Sequence, residues 1–298
     1  MVPSFLLIDK PAGITSHDAV QRIRVLTKEK RIGHTGTLDP FATGLLIILL
    51  GPATRLAQYL HALPKTYEAK LTLGAVSTTD DLTGAITPVA SAPIPAREEI
   101  QTVLQKFKGK QQQVPPIYSA IKTKGRKLYD LARSGATEEA EKTAGERVRR
   151  IEIFSLELLE YEYPALSIRV QCSSGTYVRA LGRDIAAALH TGAYLSALCR
   201  TAIGNFLNSD AENLPELTNE TVLSHTQPIE KLLAFMPRVA FSTDNVAKLK
   251  QGRALSGEWD VPAEQPLALA DEAGGVFGIG RYAASEHTIS PATIFNSE

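Results

Sequence analysis

Cysteine is scarce in the sequence, and neither sign of charge is in excess. Among 298 residues there are two cysteines, Cys172 and Cys199, and they match neither a disulfide framework nor the spacing of a metal site. Both lie among apolar neighbours, which is typical of small core residues. The 32 basic side chains equal the 32 acidic ones, so the formal net charge is zero. This balance argues against a strongly cationic nucleic-acid binder, and any phosphate contacts must come from local clusters.

Long apolar runs are absent as well. No run approaches the roughly 20 residues that a membrane helix needs. The N-terminal run Phe5–Ile8 is too short for a signal-peptide core and has no basic residues before it. We therefore expect a cytoplasmic protein without a membrane segment. Apolar content of 44% and charged content of 21% are ordinary for a protein with a sizeable core.

One glycine-rich loop combines polar side chains with a buried neighbour. The segment Arg31–Gly44 (RIGHTGTLDPFATG) leads directly into the apolar run Leu45–Leu50, which predicts a strand buried on both faces. Loops fixed to such rigid elements often carry chemistry. Pro40 favours an extended conformation at Asp39, so this carboxylate is held in place. The residues alone leave two interpretations open, a catalytic aspartate and an ordinary Asx turn.

The remaining pattern predicts a mixed domain and a small β-rich module. A capping box at Thr15 and Asp18 begins a helix that ends near Lys28. The pattern changes from about Asn208, and the module itself follows Pro237 and contains a hairpin signal around residues 271–275. Residues 134–147 have little apolar content and predict an exposed excursion. Further strands are predicted at 67–73, 151–161 and 166–172, and further helices at 53–63, 100–107 and 178–189.

Two basic features have both a structural and a functional interpretation. Arg179 lies in the first turn of its predicted helix, where a cation opposes the helix dipole, so we expect an anionic partner. Arg183 lies four residues later on the same face. The cluster Lys122–Lys127 is either a solvated surface or a phosphate-contacting patch.

Several common catalytic patterns are absent. The six histidines show no metal-ligand spacing, and there is no nucleophile elbow, Walker lysine or dinucleotide fingerprint. A phosphate-binding glycine loop is disfavoured for lack of that lysine. What remains is a positioned carboxylate near a histidine, aromatic side chains and arginines. A lone aspartate can act as a covalent nucleophile, whereas ordinary glycoside hydrolysis needs a second carboxylate that we cannot identify.

Five sequence blocks resemble the TruB family of tRNA pseudouridine synthases, in the order in which that family has them. The likeness extends from about residue 4 to residue 205 and continues weakly beyond. The blocks are Leu7–Gly13, Gly33–Pro40 with Ala42–Gly44, Lys65–Tyr67, Val114–Ala120 and Ser173–Arg179.

This resemblance implies an α+β pseudouridine-synthase fold, with a central mixed, largely antiparallel sheet flanked by helices. A small C-terminal β-rich, PUA-like RNA-binding domain follows, and we expect the domains to span 1–237 and 238–298. The implied activity converts uridine 55 in the T loop of tRNA to pseudouridine. It requires no cofactor, metal or guide RNA, and we expect a monomer whose partner is the T arm of tRNA.

The resemblance also assigns roles to particular residues. Asp39 is then the catalytic aspartate, Arg179 pairs with it and keeps it ionised, and Tyr67 stacks on the flipped uracil. The other implied substrate contacts are His34 in the space left by the base, Tyr177 and Leu198 in the pocket, Asp81 at its edge, and Lys10 with the Lys122–Lys127 cluster on the tRNA backbone.

Two alternatives share the same fold. One is a guide-RNA-dependent synthase of the archaeal and eukaryotic type, which usually has longer flanking segments. The other is an inactive RNA-binding or tRNA-folding protein, which would have lost Asp39, Tyr67 or Arg179. All three residues are present, and the chain is compact. The sequence therefore favours an active, stand-alone enzyme.

Overall fold

The computed structural model describes residues 2–119, 122–123, 126–127 and 137–295. Its helices are α1 Ser16–Thr27, α2 Ala57–His61, α3 Arg97–Lys106, α4 Thr137–Glu146, α5 Val178–Ala188, α6 Ile229–Leu232 and α7 Thr243–Lys250. The first strands are β1 Ser4–Lys10, β2 Ile32–His34, β3 Thr43–Leu50, β4 Lys65–Leu73, β5 Ala75–Ser77, β6 Ile86–Pro88, β7 Gly109–Gln113, β8 Lys122–Thr123, β9 Arg126–Lys127 and β10 Arg149–Glu162. The others are β11 Ala165–Cys172, β12 Ala193–Ile203, β13 Phe206–Leu207, β14 Glu212–Asn213, β15 Gln227–Pro228, β16 Arg238–Phe241, β17 Leu255–Ser256, β18 Pro266–Asp271, β19 Val276–Ala283 and β20 Thr288–Ile294.

An eleven-stranded sheet organises most of the chain. Its main path runs β14-β1-β3-β12-β4-β11-β10-β7, with β2 on β3, β13 on β12 and β15 on β1. The pairs β1–β14 and β3–β12 are parallel, and the other pairs in this sheet are antiparallel. The predicted mixed, largely antiparallel central sheet is therefore confirmed.

Strand β3 lies at the centre of the core, as its apolar run predicts. Every residue from Leu45 to Leu50 is fully buried. Alternate side chains enter two different apolar clusters: Leu45, Ile47 and Leu49 pack on one face of the sheet, and Leu46, Ile48 and Leu50 on the other. Each such side chain contributes about 1.5–3 kcal/mol on burial. The loop before β3 is thus anchored to a strand that is fully buried from Leu45 to Leu50.

Strand β12 was missed by the sequence analysis. It spans Ala193–Ile203 and lies between β3 and β4, directly beside the loop that carries Asp39. Two register shifts, between Leu195 and Ala197 and between Arg200 and Ala202, interrupt its alternation. A bulge adds one residue and so breaks the period of two on which strand prediction depends.

The segment 134–147 is mostly exposed where it is described, as predicted, but it is helical rather than irregular. Residues Thr137–Glu146 form helix α4, in which Ala140 and Ala144 are buried against Ile117 and Tyr118. Because its buried face consists of alanines, the apolar periodicity is weak in the sequence. Residues 134–136, and the side chains of the Lys122–Lys127 cluster, lie outside the described residues.

The C-terminal β-rich module is a five-stranded sheet in the order β16-β18-β19-β20-β17. The predicted hairpin is confirmed as β18 and β19, joined by the acidic turn. Ala268 and Ile279 of this sheet belong to the same apolar cluster as Leu45 of β3, so apolar packing continues between the two sheets. The domain boundary after residue 237 stays a prediction. Across the described ranges, no helix combines the length and the apolar character needed to cross a membrane.

Candidate active site

Asp39 lies in the loop between β2 and β3 and is held by an arginine from a distant part of the chain. Arg179 Nε donates to Asp39 Oδ2 at 2.9 Å and Nη2 donates to Oδ1 at 3.3 Å, a bidentate pair. The Asp39 side chain is 35% exposed, whereas that of Arg179 is 5% exposed. The guanidinium therefore supports the carboxylate from inside the protein, and the carboxylate faces solvent.

The buried guanidinium of Arg179 has further partners. Nη1 donates to the Thr79 carbonyl at 2.9 Å, and Nη2 donates to the Tyr118 carbonyl at 2.9 Å. Asp81 Oδ2 lies 3.4 Å from Nη1. Arg179 is the second residue of α5, so the predicted anionic partner for a cation at this helix start is confirmed, and there are two.

The resemblance implied that Asp81 lies at the edge of a pocket, but the structure does not place it there. It is buried and accepts hydrogen bonds from the Thr79 hydroxyl at 2.7 Å and the Thr83 amide at 2.9 Å. With these donors and Arg179 around it, the carboxylate is internally satisfied. The structure therefore places Asp81 in the interior, in contact with Arg179.

Lys10 also differs from its predicted place on an RNA-facing surface. Its side chain is 0% exposed, and Nζ donates to the carbonyls of Pro11 at 2.8 Å, Ile14 at 2.9 Å and Pro40 at 3.4 Å. Burial lowers the pKa of Lys10 to about 8. Lys10 thus ties the N-terminal segment to the residue after Asp39 and is not placed to contact an RNA backbone.

Residues at the start of α1 fix the same loop. The Leu38 amide donates to Ser16 Oγ at 2.8 Å, and Ser16 Oγ donates to the Leu38 carbonyl at 3.3 Å. The Gly13 amide donates to the Pro40 carbonyl at 2.8 Å. The backbone on both sides of Asp39 is therefore bonded to the segment that precedes and begins α1.

Arg200 braces the loop from the other side. It is 1% exposed, and its guanidinium donates to the carbonyls of Leu45 at 2.7 Å, Gly36 at 3.1 Å and Thr37 at 3.5 Å. These carbonyls lie before and after Asp39, so one side chain joins both ends of the loop. A Cβ at Gly44, which has φ +100°, would collide with the Arg200 backbone, so this close approach requires glycine.

Tyr67 and Leu198 lie next to this brace. Tyr67 is directly opposite Arg200 across β4 and β12, and Leu198 is opposite Ala69 in the same strand pair. Tyr67 is half-buried and packs on the apolar cluster that contains Leu198. Burial raises the pKa of Tyr67, which keeps its hydroxyl protonated at neutral pH. Both residues lie on the strand pair next to β3, the strand that follows the Asp39 loop.

His34 and Tyr177 are both half-buried, at the end of β2 and at the N-cap of α5. The Gly36 amide donates to His34 Nδ1 at 3.2 Å, and burial, with the nearby Arg200 charge, lowers the pKa of His34. The imidazole is therefore mostly neutral at pH 7. The Arg149 guanidinium lies 5.5 Å from the centre of the Tyr177 ring, a cation–π distance.

Two residues that hold the backbone of the site were not predicted from the sequence, Arg200 and Gln113. Gln113 accepts from the Tyr177 amide at 2.8 Å and donates to the Tyr177 carbonyl at 3.1 Å, so it fixes the backbone of a predicted pocket residue. A glutamine beside paired prolines has no distinctive signal. Arg200 could have been noticed as a lone charge in an apolar stretch, since unpaired charges are rarely buried without a purpose.

Asp39 and the residues bonded around it form a site with limited chemistry. It presents a carboxylate to solvent, backed by the Arg179 guanidinium. Within the described ranges, no three His, Cys, Asp or Glu side chains come together in a way that could hold a metal ion. In such a site the Asp39 carboxylate can attack a ligand or transfer a proton.

We predict that Arg200→Lys destabilises the protein by about 2–4 kcal/mol. A lysine ammonium lacks the planar fork of a guanidinium and cannot reach all three carbonyls. Each buried carbonyl left without a donor costs about 1–3 kcal/mol. Urea unfolding measures the difference. The control is Arg169→Lys, because Arg169 forms a half-exposed pair with Glu68 at 2.8 Å whose loss costs under about 1 kcal/mol. Equal unfolding midpoints for the two variants would contradict the bracing role of Arg200.

Solved structures share the fold of the whole chain. A protein in a structure described as an H/ACA RNP bound to a substrate RNA containing 2′-deoxyuridine aligns with a TM-score of 0.75 and 23% identity, over 99% of this chain and 85% of that one. A chain in a Cbf5–Nop10–Gar1 complex aligns with a TM-score of 0.74 and 25% identity, over 99% and 84%. The predicted pseudouridine-synthase fold is thereby confirmed.

Sequence relatives are closer. The chain is 42% identical to tRNA pseudouridine synthase B of Trichormus variabilis over 258 residues, which is 84% of this chain and 85% of the relative. It is 38% identical to the protein of that name from Nitrosococcus oceani over 303 aligned positions, covering 100% of this chain and 96% of the relative. The family model described as TruB family pseudouridylate synthase (N terminal domain) matches residues 24–178. The chain therefore belongs to the TruB family of pseudouridylate synthases.

Proposed function

We propose that this enzyme isomerises uridine to pseudouridine at position 55, in the T arm of tRNA, with Asp39 as the catalytic residue. The observation that carries the proposal is the solvent-facing Asp39 carboxylate held in bidentate contact by the buried Arg179. The relatives that align over most of the chain are named tRNA pseudouridine synthase B. Family, substrate class and site geometry thus point to the same reaction.

The reaction needs little beyond a positioned carboxylate. The N1–C1′ bond of the uridine breaks, the uracil turns within the pocket, and a C5–C1′ bond forms. C5 loses its proton and N1 gains one, so atoms and electrons balance without a cofactor or a co-reactant. Asp39 is the group that acts on the nucleotide. Arg179 holds the carboxylate in a fixed orientation, which both nucleophilic attack and proton removal require.

The target base must leave its stack, which costs a few kcal/mol. We assign Tyr67 as the stacking partner of the flipped uracil, with Tyr177 and Leu198 completing the pocket. Neutral His34 then packs against the tRNA loop where the base has left. Its desolvated, uncharged ring is suited to contact with bases, because stacking needs no counterion.

The enzyme acts without a guide RNA. The relatives at 38–42% identity carry the name of a tRNA enzyme, whereas the chains from the H/ACA RNP and the Cbf5 complex are 23–25% identical and support the shared fold. An inactive RNA-binding protein is disfavoured because Asp39 and Arg179 are both present and paired. We expect a monomer that works in the cytoplasm, with the C-terminal sheet contacting tRNA outside the T arm.

We predict that the purified protein forms pseudouridine in a short T-arm hairpin with no other macromolecule present. The measurement is release of tritium from hairpin RNA labelled at C5 of uridine, followed by mapping of the modified position. The control is the same hairpin with cytidine at position 55, which should release no tritium. Conversion only in the presence of a second RNA would contradict the stand-alone assignment, and modification elsewhere in the loop would contradict the position.

A further inference from the structure

A second arginine on helix α5 repeats the contacts of Arg179 one turn further along. Arg183 Nη1 donates to Asp80 Oδ2 at 3.0 Å, and Nη2 donates to the Val114 carbonyl at 3.0 Å. Its Nε donates to Asp184 Oδ1 at 3.0 Å. Arg183 makes no contact with Asp39, so the catalytic mechanism does not use it directly.

The two arginines connect the same three elements. Arg179 contacts Asp81 in the loop after β5 and the Tyr118 carbonyl in the segment after β7. Arg183 contacts the preceding aspartate, Asp80, in that loop and a carbonyl four residues earlier in that segment. Residues four apart lie on one face of a helix. The two arginines therefore hold the loop and the segment at two points each, one helical turn apart.

Asp80 occupies a backbone position that needs support. Its φ is +59°, in the left-handed region that side chains other than glycine rarely adopt. Its amide donates to the Ser77 carbonyl at 3.1 Å, and its carbonyl accepts from the Leu195 amide at 3.0 Å. The side chain is 17% exposed and points to Arg183, whose side chain is 35% exposed. Strained backbone persists where its surroundings fix it firmly.

We propose that Arg183 and Asp80 form a positioning pair that aims Arg179 at Asp39. The Thr79 carbonyl, to which Arg179 donates, belongs to the residue before Asp80. The Arg183 contacts to Asp80 and to Val114 therefore fix both backbone segments whose carbonyls receive the donors of Arg179. When Nη1 and Nη2 of Arg179 are held by these two carbonyls, the edge formed by Nε and Nη2 faces the Asp39 carboxylate. This inference rests on the proposed function, in which Asp39 is catalytic.

The test uses two substitutions that remove the pair from opposite sides, Asp80→Asn and Arg183→Gln. Asparagine tolerates the left-handed conformation, so Asp80→Asn removes the charge without disturbing the backbone. We expect each variant to lower kcat on the T-arm hairpin roughly tenfold, since a small misplacement of a catalytic group has effects of this order. KM should stay within about twofold, because no substrate contact is lost.

Two further variants separate positioning from other roles. The double variant Asp80→Asn with Arg183→Gln should be no slower than the slower single variant. The effects on kcat of two substitutions that break the same pair do not add. Arg183→Lys should recover part of kcat, since lysine can pair with Asp80 but cannot also reach Val114 with a planar fork. The matched control is Glu68→Gln, which breaks the half-exposed pair with Arg169 and should leave kcat unchanged.

Three results would overturn the inference. A wild-type kcat for Asp80→Asn would remove the pair from the mechanism. An increase in KM for Arg183→Gln, with Asp80→Asn unaffected, would show that Arg183 contacts RNA instead. A kcat for Arg183→Lys no higher than that of Arg183→Gln, with equal urea midpoints, would also contradict it. Failure of the proposed function is distinct, because the wild-type enzyme itself would then leave the hairpin unmodified.

Discussion

Asp39→Asn should abolish pseudouridine formation, with a loss in kcat on the order of 10⁴ or more. Removing a nucleophile or its base costs about 10⁴ to 10⁶ in enzymes where this has been separated from binding. The amide is neutral, so it neither attacks a sugar or base carbon nor takes up a proton at neutral pH. Asp81, the other carboxylate beside Arg179, does not take its place, because it is buried and already bonded.

The same variant should still bind RNA. The amide keeps the size of the carboxylate, and its oxygen still accepts one hydrogen bond from Arg179, so the loop stays in place. The contacts that brace this loop from Ser16 and Arg200 do not involve the Asp39 side chain. Binding by the aromatic pocket and by the surface around it therefore persists, and we expect Kd for the T-arm hairpin to change by less than about threefold.

Multiple-turnover tritium release at saturating hairpin measures kcat, and a filter-binding or anisotropy titration measures Kd on the same hairpin. Asp244→Asn serves as a control, because Asp244 is an exposed aspartate in the first turn of α7, in the C-terminal sheet's domain. It should retain wild-type turnover. Normal turnover by Asp39→Asn would refute the catalytic assignment, and loss of binding together with turnover would show that Asp39 serves to hold RNA.

The sequence predicted those parts of the fold and site that depend on local pattern. The unbroken apolar run Leu45–Leu50 predicted a strand buried on both faces, and its side chains fill two clusters. The position of Arg179 in a first helical turn predicted an anionic partner, because a cation there opposes the dipole. Both inferences use interactions between near neighbours, which a sequence displays directly.

Features that depend on distant contacts could not be predicted in this way. The bulges of β12 exist because that strand must pair with β4 while its Arg200 lies beside Gly44 of β3, and neither neighbour is near it in sequence. The buried face of α4 is made of alanines, whose weak apolar signal is easily masked by the charges around them. In both segments tertiary packing, rather than local propensity, decides the structure.

Charged residues were the hardest to place. Lys10 and Asp81 belong to sequence types that are usually exposed, and both are buried and fully engaged with the backbone or with Arg179. The residue types of Lys10 and Asp81 indicate that they are important to the site. They do not indicate the direction in which the side chains point. A buried charge requires partners, and those partners lie in other segments of the chain. Only the three-dimensional arrangement shows that Lys10 contacts backbone carbonyls near Asp39 and that Asp81 contacts Arg179.

Arg179→Lys is the second substitution that should nearly inactivate the enzyme. Lysine keeps the positive charge, but a single ammonium cannot make the bidentate contact with Asp39 and also reach Asp81 and two carbonyls. The Asp39 carboxylate is then paired but poorly aimed. We expect kcat to fall about 10²-fold, since a displacement near 1 Å at a reacting group has that effect.

The stability of Arg179→Lys should fall as well, because buried Asp81 and the carbonyls of Thr79 and Tyr118 lose donors. We expect a cost of about 2 kcal/mol, measured by urea unfolding. The control Arg169→Lys changes a half-exposed pair and should alter neither kcat nor stability by a comparable amount. If Arg179→Lys lost stability but kept kcat, the arginine would serve the fold alone. A loss of kcat with unchanged KM would instead show that catalysis depends on the orientation of the Asp39 carboxylate, because Arg179→Lys retains both the positive charge and substrate binding.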